Sequence, residues 1–212
     1  ATAKHFIGDG GTFKGLDKGD TRISEGGLKN IHGTTYYSAF EACVQSVMAS
    51  FNSWNGVKMH GHKYLLTDVL RDQMGFNGLV VGDWNGHGEV PGCTNANCPE
   101  SFNAGVDIYM APDEWKELYT NTVRAVKAGD ISEDRLDDAV RKILTVKDRL
   151  GMLDGRKPHE YENYGGKIEH RELAREAVSK SLVLLKNNDN LLPLDSTCLL
   201  YTSPSPRDHE QS

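Results

Sequence analysis

Gly78-Leu-Val-Val-Gly82-Asp83-Trp84-Asn85-Gly86 is a short apolar run that ends in a carboxylate and an indole. Three consecutive apolar residues between glycines suit a strand buried on both faces, and Asp83 falls where such a strand ends. Upstream, Tyr64-Leu-Leu-Thr-Asp-Val-Leu-Arg-Asp-Gln-Met74 has the spacing of an amphipathic helix and closes at Gly75. Further strand-length runs are His5-Phe-Ile, Val47-Met-Ala-Ser-Phe51 and Val106-Asp-Ile-Tyr-Met110, each bounded by Gly or polar residues. Trp115 to Lys127 reads as a helix with Gly129 as its C-cap. Strand and helix therefore alternate as in βα units, which predicts an α/β fold with a parallel sheet, as a barrel in preference to a doubly wound sheet.

A long helix follows Ile131, with Ser132 as N-cap, acids in the first turn and bases later, as the helix dipole favours. It is expected to close a first domain, residues 1–150. Residues 151–168, rich in Gly, Tyr and Asn, read as a linker. A helix from Glu169 leading into an apolar strand, Ser181-Leu-Val-Leu-Leu-Lys186, reads as the start of a second domain, residues 169–197. The opening Ala1-Thr-Ala-Lys4 has no turn or capping residues before its strand, so the chain is expected to begin inside a domain. At the other end, Cys198-Leu-Leu-Tyr-Thr-Ser-Pro-Ser-Pro-Arg-Asp208 resembles the translation of a transposase-type sequencing adapter, and residues 198–212 are expected to be a non-native tail. An intact genomic copy of the gene that encoded them would refute this.

The 212 residues are 38% hydrophobic and 25% charged, ordinary for a globular protein with one sizeable core. A net charge of -6 offers no footprint for a phosphate backbone, so nucleic acid is not expected as a partner. No apolar run approaches the roughly 20 residues of a spanning helix, and no membrane partner is expected. Cys93 and Cys98 share a turn-rich loop without the His partners of a zinc site, and no metal site is expected. A local disulfide would suit a periplasmic or extracellular protein; two free thiols in a reducing compartment suit the same spacing.

The active site of a parallel barrel forms at the carboxyl ends of its strands. Polar residues interrupt the pattern there at Lys4-His5, at Ser50-Phe-Asn-Ser-Trp-Asn-Gly56 and at Asp83-Trp84. Lys4 and His5 could bind vicinal hydroxyls of a sugar or an anion. Asp83 beside Trp84 pairs a potential nucleophile with a flat apolar face on which a sugar ring could stack. An Asp at a strand end also commonly serves as a turn former, and Trp54 and Trp84 could belong to a core. Asp107, inside its strand, reads as structural or as a partner behind the site. Gly8, Gly10 and Gly11 do not form a dinucleotide fingerprint. A Schiff-base aldolase using Lys4 would leave Asp83-Trp84 unexplained.

Ala3-Lys-His-Phe-Ile-Gly-Asp-Gly-Gly-Thr12, Val47-Met-Ala-Ser-Phe-Asn-Ser-Trp-Asn-Gly56, Gly78-Leu-Val-Val-Gly-Asp-Trp84 and Arg171-Glu-Leu-Ala-Arg-Glu-Ala-Val-Ser-Lys-Ser-Leu-Val-Leu-Leu-Lys-Asn187 together resemble glycoside hydrolase family 3, in its β-glucosidase and glucan exohydrolase branch. The resemblance implies the C-terminal part of a (β/α)8 TIM-like barrel followed by the start of an α/β sandwich domain. It implies Asp83 as catalytic nucleophile, Trp84 lining the sugar subsite, Lys4 and His5 on substrate hydroxyls, and Met48 bordering the glucose subsite. The implied substrate is a β-glucoside or β-glucan oligosaccharide, with no cofactor. The acid/base of this branch is a glutamate of the second domain, beyond this chain. Phe51 stands where close relatives carry a tyrosine, and the arginine that plant relatives carry after the nucleophile is not matched. A non-catalytic sugar-binding relative and a β-xylosidase specificity are the alternatives.

Overall fold

A computed structural model describes residues 1–155 and 167–194. The chain divides into two compact units, Ala1–Lys157 and Pro158–Ser212. The first contains strands β1 (Thr2–Phe6), β2 (Asp20–Thr21), β3 (Ser46–Ala49), β4 (Ser53–Trp54), β5 (Val57–Lys58), β6 (Leu79–Trp84) and β7 (Ile108–Met110). Four of them form one sheet in the order β1-β3-β6-β7, and every neighbouring pair is parallel. Spatial order equals chain order, and helical segments lie between successive strands: Glu25–Glu41, Tyr64–Gln73 and Pro99–Ala104. This is a run of βα units of barrel type, present here as an open sheet. The small β2-β4-β5 sheet lies in the loops that follow β1 and β3.

Packing follows from alternation along the strands. Val47 and Ala49 of β3 and Val80 of β6 are fully buried, in one cluster with Leu28, Tyr36, Leu65, Leu66 and Leu70 of the helices. Each of the valine and leucine side chains contributes roughly 1.5–3 kcal/mol of transfer free energy. Phe6, Tyr36, Phe40 and Phe76 continue this layer as successive ring contacts with centroids 5.0, 6.2 and 5.0 Å apart. Met48, Val81 and Asp83 take the other face of the sheet, because Met48 pairs with Val81 and side chains alternate. The helices Trp115–Ala128 and Glu133–Arg149 build a second cluster around Ile131, Phe102, Ala125 and Ala139. Their termini are those expected: Gly129 stands at φ 85 with its N–H on the Ala125 and Val126 carbonyls, and the Ser132 hydroxyl accepts from Arg135 N–H.

Two expectations change. Asp107 precedes β7 instead of lying inside a strand, and its side chain ties the base of the sheet to two helices. It accepts from Arg71 at 2.6 Å, from Arg135 at 2.9 Å and from Val80 N–H at 2.8 Å, with its carboxylate completely shielded from solvent. In the second unit the helix Ile168–Ser181 takes in Ser181, and Leu182–Asn187 pairs with no strand among the described residues. Leu182, Val183, Leu184 and Leu185 are exposed there. A strand needs a neighbour to bond its backbone and cover its apolar face, and the described part of this unit supplies neither. The expected tail, residues 198–212, lies outside the described residues, as does most of the expected linker. No helix among the described residues is long and apolar enough to cross a membrane.

Removing the Asp107 carboxylate takes the buried ion-pair partner from Arg71 and Arg135 at the base of the sheet. Asp107→Ala in the complete gene product is expected to cost about 3–5 kcal/mol, the usual loss when one partner of a buried ion pair is deleted. Urea unfolding of wild type and variant measures it.

Candidate active site

The parallel sheet brings the carboxyl ends of β1, β3 and β6 side by side, and with them three separate stretches of sequence. β1 carries Lys4 and His5, β3 carries Met48, and β6 ends in Asp83 and Trp84. Asp83 is mostly buried, with 17% of its side chain exposed, and His5 Nε2 lies 3.6 Å from its Oδ2. The other imidazole nitrogen of His5 faces Asp9 Oδ2 at 3.3 Å. Asp83 Oδ1 accepts from the Trp84 N–H at 2.7 Å, which turns the carboxylate back over the strand end. Trp84 itself is 59% exposed and presents a free aromatic face beside the carboxylate. Half-buried Met48 lies on the Asp83 face of the sheet, across from Val81. Lys4 is exposed and, among the described residues, makes no ion pair with Asp83.

One residue that holds the site together is not legible as such in the sequence. His60 is 2% exposed, and its Nε2 accepts the Asp83 N–H at 2.8 Å. That geometry requires an unprotonated Nε2, hence a neutral ring with its proton on Nδ1. Burial pushes His60 down to about 4, against the opposing charge of Asp83, with His87 and Lys58 adding to the fall and the Ser50 bond resisting it. The imidazole also explains a glycine of the quoted stretch. A Cβ on Gly86 would stand 2.3 Å from His60 Cε1 and Nε2, so any side chain there must displace the ring. His60 lies in a single helical turn, Met59–Gly61, after the β4-β5 hairpin, where no periodicity marks it. The nearby glycines were the only available signal.

The Ser50–Gly56 stretch is a scaffold. Fully buried Asn52 bonds the Ser50 hydroxyl and donates to the Ile7 and Ser53 carbonyls and to Thr21 Oγ1, while Thr21 donates to the Gly8 carbonyl. The loops after β1 and β3 are thereby joined below their tips. Trp54 is part of this frame, its indole N–H donating to the Ile23 carbonyl at 2.8 Å. Phe51 packs between the His60 ring, 6.0 Å away, and the Lys18 ammonium, 4.5 Å away. Lys18 bonds Glu89 at 2.9 Å and holds that carboxyl below its ordinary range, with Lys58 assisting. Cys93 and Cys98 form a disulfide in the loop after β6, so the choice between bridge and free thiols resolves to the bridge. Among the described residues the sole convergent set of metal-type ligands is Cys93, Cys98 and Glu100; its sulfurs are the bridged ones, which lack the thiolate a metal would take.

An open (β/α) sheet with a carboxylate, an imidazole and an exposed indole gathered at its carboxyl edge defines a barrel-type catalytic domain. Residues 1–146 match the Glycosyl hydrolase family 3 N terminal domain, and the chain belongs to that family. It is 37% identical over 209 residues to a beta-xylosidase of Formosa agariphila, covering 92% of this chain and 29% of the relative. To a periplasmic beta-glucosidase of Salmonella typhimurium it is 33% identical over 205 residues, covering 91% and 26%. Among solved structures, an exo-1,3/1,4-beta-glucanase from a Pseudoalteromonas species superposes with a TM-score of 0.79 at 55% identity, over 92% of this chain and 25% of that one. A beta-glucosidase from Listeria innocua superposes with a TM-score of 0.73 at 31% identity, over 92% and 28%. The chain thus spans between a quarter and a third of the length of these relatives.

His60 makes the protein acid-sensitive in a defined window. Its ordinary value is 6.5 and its folded value about 4, so the unfolded state takes up the proton first. Stability contributed by neutral His60 is complete above pH 6.5 and falls as the pH drops toward 4. His62 and His87, also pushed down by burial, act in the same direction. His60→Asn in the complete gene product should flatten the fall in melting temperature between these pH values, measured by calorimetry across the range.

Proposed function

We propose that this chain is part of a retaining O-glycosyl hydrolase that releases glucose from the non-reducing end of β-glucosides or β-glucan oligosaccharides. The single observation carrying this reading is Asp83, a mostly buried carboxylate at a strand end with His5 on one side and the open face of Trp84 on the other. In this mechanism Asp83 attacks the anomeric carbon and forms a glycosyl-enzyme, and a second carboxylate about 5 Å away acts first as acid and then as base. The second carboxylate is a glutamate outside residues 1–197. His5 and Lys4 bind sugar hydroxyls whose hydrogen bonds tighten as oxocarbenium character develops, Trp84 stacks on the ring and Met48 borders it. Names among the relatives support a glucosyl substrate: Listeria innocua beta-glucosidase structures contain glucose and, in a mutant, laminaribiose.

A β-xylosidase specificity is the second reading, favoured by the name of the Formosa agariphila relative. Residues 1–150 are read as part of the barrel, 151–168 as a linker, 169–197 as the start of a second domain and 198–212 as adapter-derived; the boundary between the compact units at Lys157 and Pro158 supports the linker. A periplasmic or extracellular location is supported by the Cys93–Cys98 bridge and by the periplasmic Salmonella typhimurium relative.

Incubation of the complete gene product with a 2-deoxy-2-fluoro-β-glucosyl inactivator, followed by peptide mass spectrometry, tests the central claim. A label on the Asp83 peptide is expected; inactivation by the xylosyl analogue alone would favour the second reading, and no label with either sugar would overturn the nucleophile assignment. Residues 1–197 by themselves are expected to be inactive and to aggregate or stay loosely packed, because an open barrel leaves sheet edges and apolar surface uncovered. A sharp cooperative melt of that piece would contradict this.

A further inference from the structure

The His5 ring stands between two carboxylates, Asp83 at its Nε2 and Asp9 at its Nδ1, and only the first belongs to the proposed reaction. Asp9 is carried on a turn that has little freedom to move. Gly8 stands at φ 97, and a Cβ there would meet Asn52, Leu28 and Thr21 at 3.2–3.3 Å. Its carbonyl is bound twice, by the Gly11 N–H at 2.9 Å and by the Thr21 hydroxyl at 2.7 Å. On the far side of the turn, a Cβ on Gly11 would come within 2.6 Å of the His32 ring. The turn is therefore wedged between the buried Asn52-Thr21 network and His32. A carboxylate on so fixed a base can define the plane of the imidazole it touches, whereas a free His5 would rotate about its side-chain torsions.

We propose that Asp9 is a positioning residue: it holds His5 through Nδ1 so that Nε2 stays aimed at Asp83 and at the substrate hydroxyl above it. This rests on the glycosidase reading and adds to it a group that touches neither sugar nor nucleophile. Small misplacements of a positioned group are costly, so loss of this hold should lower kcat/KM on an aryl β-glucoside roughly tenfold to a hundredfold.

Asp9→Ala and Asp9→Asn, each made in wild-type and His5→Ala backgrounds of the complete gene product, test the proposal. Asp9→Ala should lower kcat/KM, and Asp9→Asn should retain most of it, since the amide oxygen can still accept from Nδ1. In the His5→Ala background, Asp9→Ala should cost nothing further, because residues acting through one another are not additive. Losses that add in full, or wild-type kinetics in Asp9→Ala, would overturn the proposal. A crystal structure of Asp9→Ala gives a readout independent of turnover: the His5 ring should leave ion-pair distance of Asp83, and an unmoved ring counts against Asp9 whatever the kinetics. Asp9→Ser, too short to reach Nδ1, serves if the alanine variant does not fold. Should the wild-type protein turn over no β-glycoside and Asp83 remain unlabelled, the glycosidase reading fails by itself, and the ring position still decides the part of Asp9.

Discussion

Asp107 is where the sheet, the helices and ultimately the site are tied together. Its completely shielded carboxylate bonds Arg71 of the helix before β6, Arg135 of the helix Glu133–Arg149, and the backbone of Val80 in β6 itself. The two arginines extend the network to carbonyls: Arg71 to Gly78 and Gly105, Arg135 to Phe102 and Val106. A buried pair of this kind adds little net stability over an apolar filling, since desolvation offsets much of the Coulombic gain. It does fix register, because each hydrogen bond admits one placement of the helices on the strands. β6 is held at its beginning by charge, and Asp83 stands near its other end.

That arrangement separates stability from chemistry along one strand. At the amino end of β6 every polar atom of Asp107 is matched by donors, leaving nothing to bind a ligand. At the carboxyl end the partners are fewer and more open: an imidazole at 3.6 Å, a backbone N–H, and a tryptophan exposed for most of its surface. The two aspartates differ in this environment, not in residue type. The one surrounded by guanidinium groups is structural, and the one left a free face toward solvent is the proposed nucleophile.

Between these ends the loops are held by neutral groups. Asn52 and Thr21 satisfy carbonyls after β1, and His60 accepts the backbone of Asp83 in a ring kept neutral by burial. A neutral acceptor beneath Asp83 fixes its backbone without bringing a positive charge to the strand end. The residues that touch a sugar in the proposed mechanism are thus mounted on others that never do.

The alternation of apolar runs with amphipathic segments determined the βα order, and the caps at Gly129 and Ser132 marked helix ends, because both depend on neighbours close in the chain. The carboxylate and indole at the end of Gly78–Gly82 were legible for the same reason. What only the tertiary structure decided is which distant residues share that edge. The proximity of His5 to Asp83, the choice of His60 as backbone acceptor and the pairing of Asp107 with two arginines each join segments far apart in sequence, through contacts that leave no periodic trace. The run 181–186 is the converse: its local pattern asks for a strand, but strand structure depends on a partner that local sequence cannot supply.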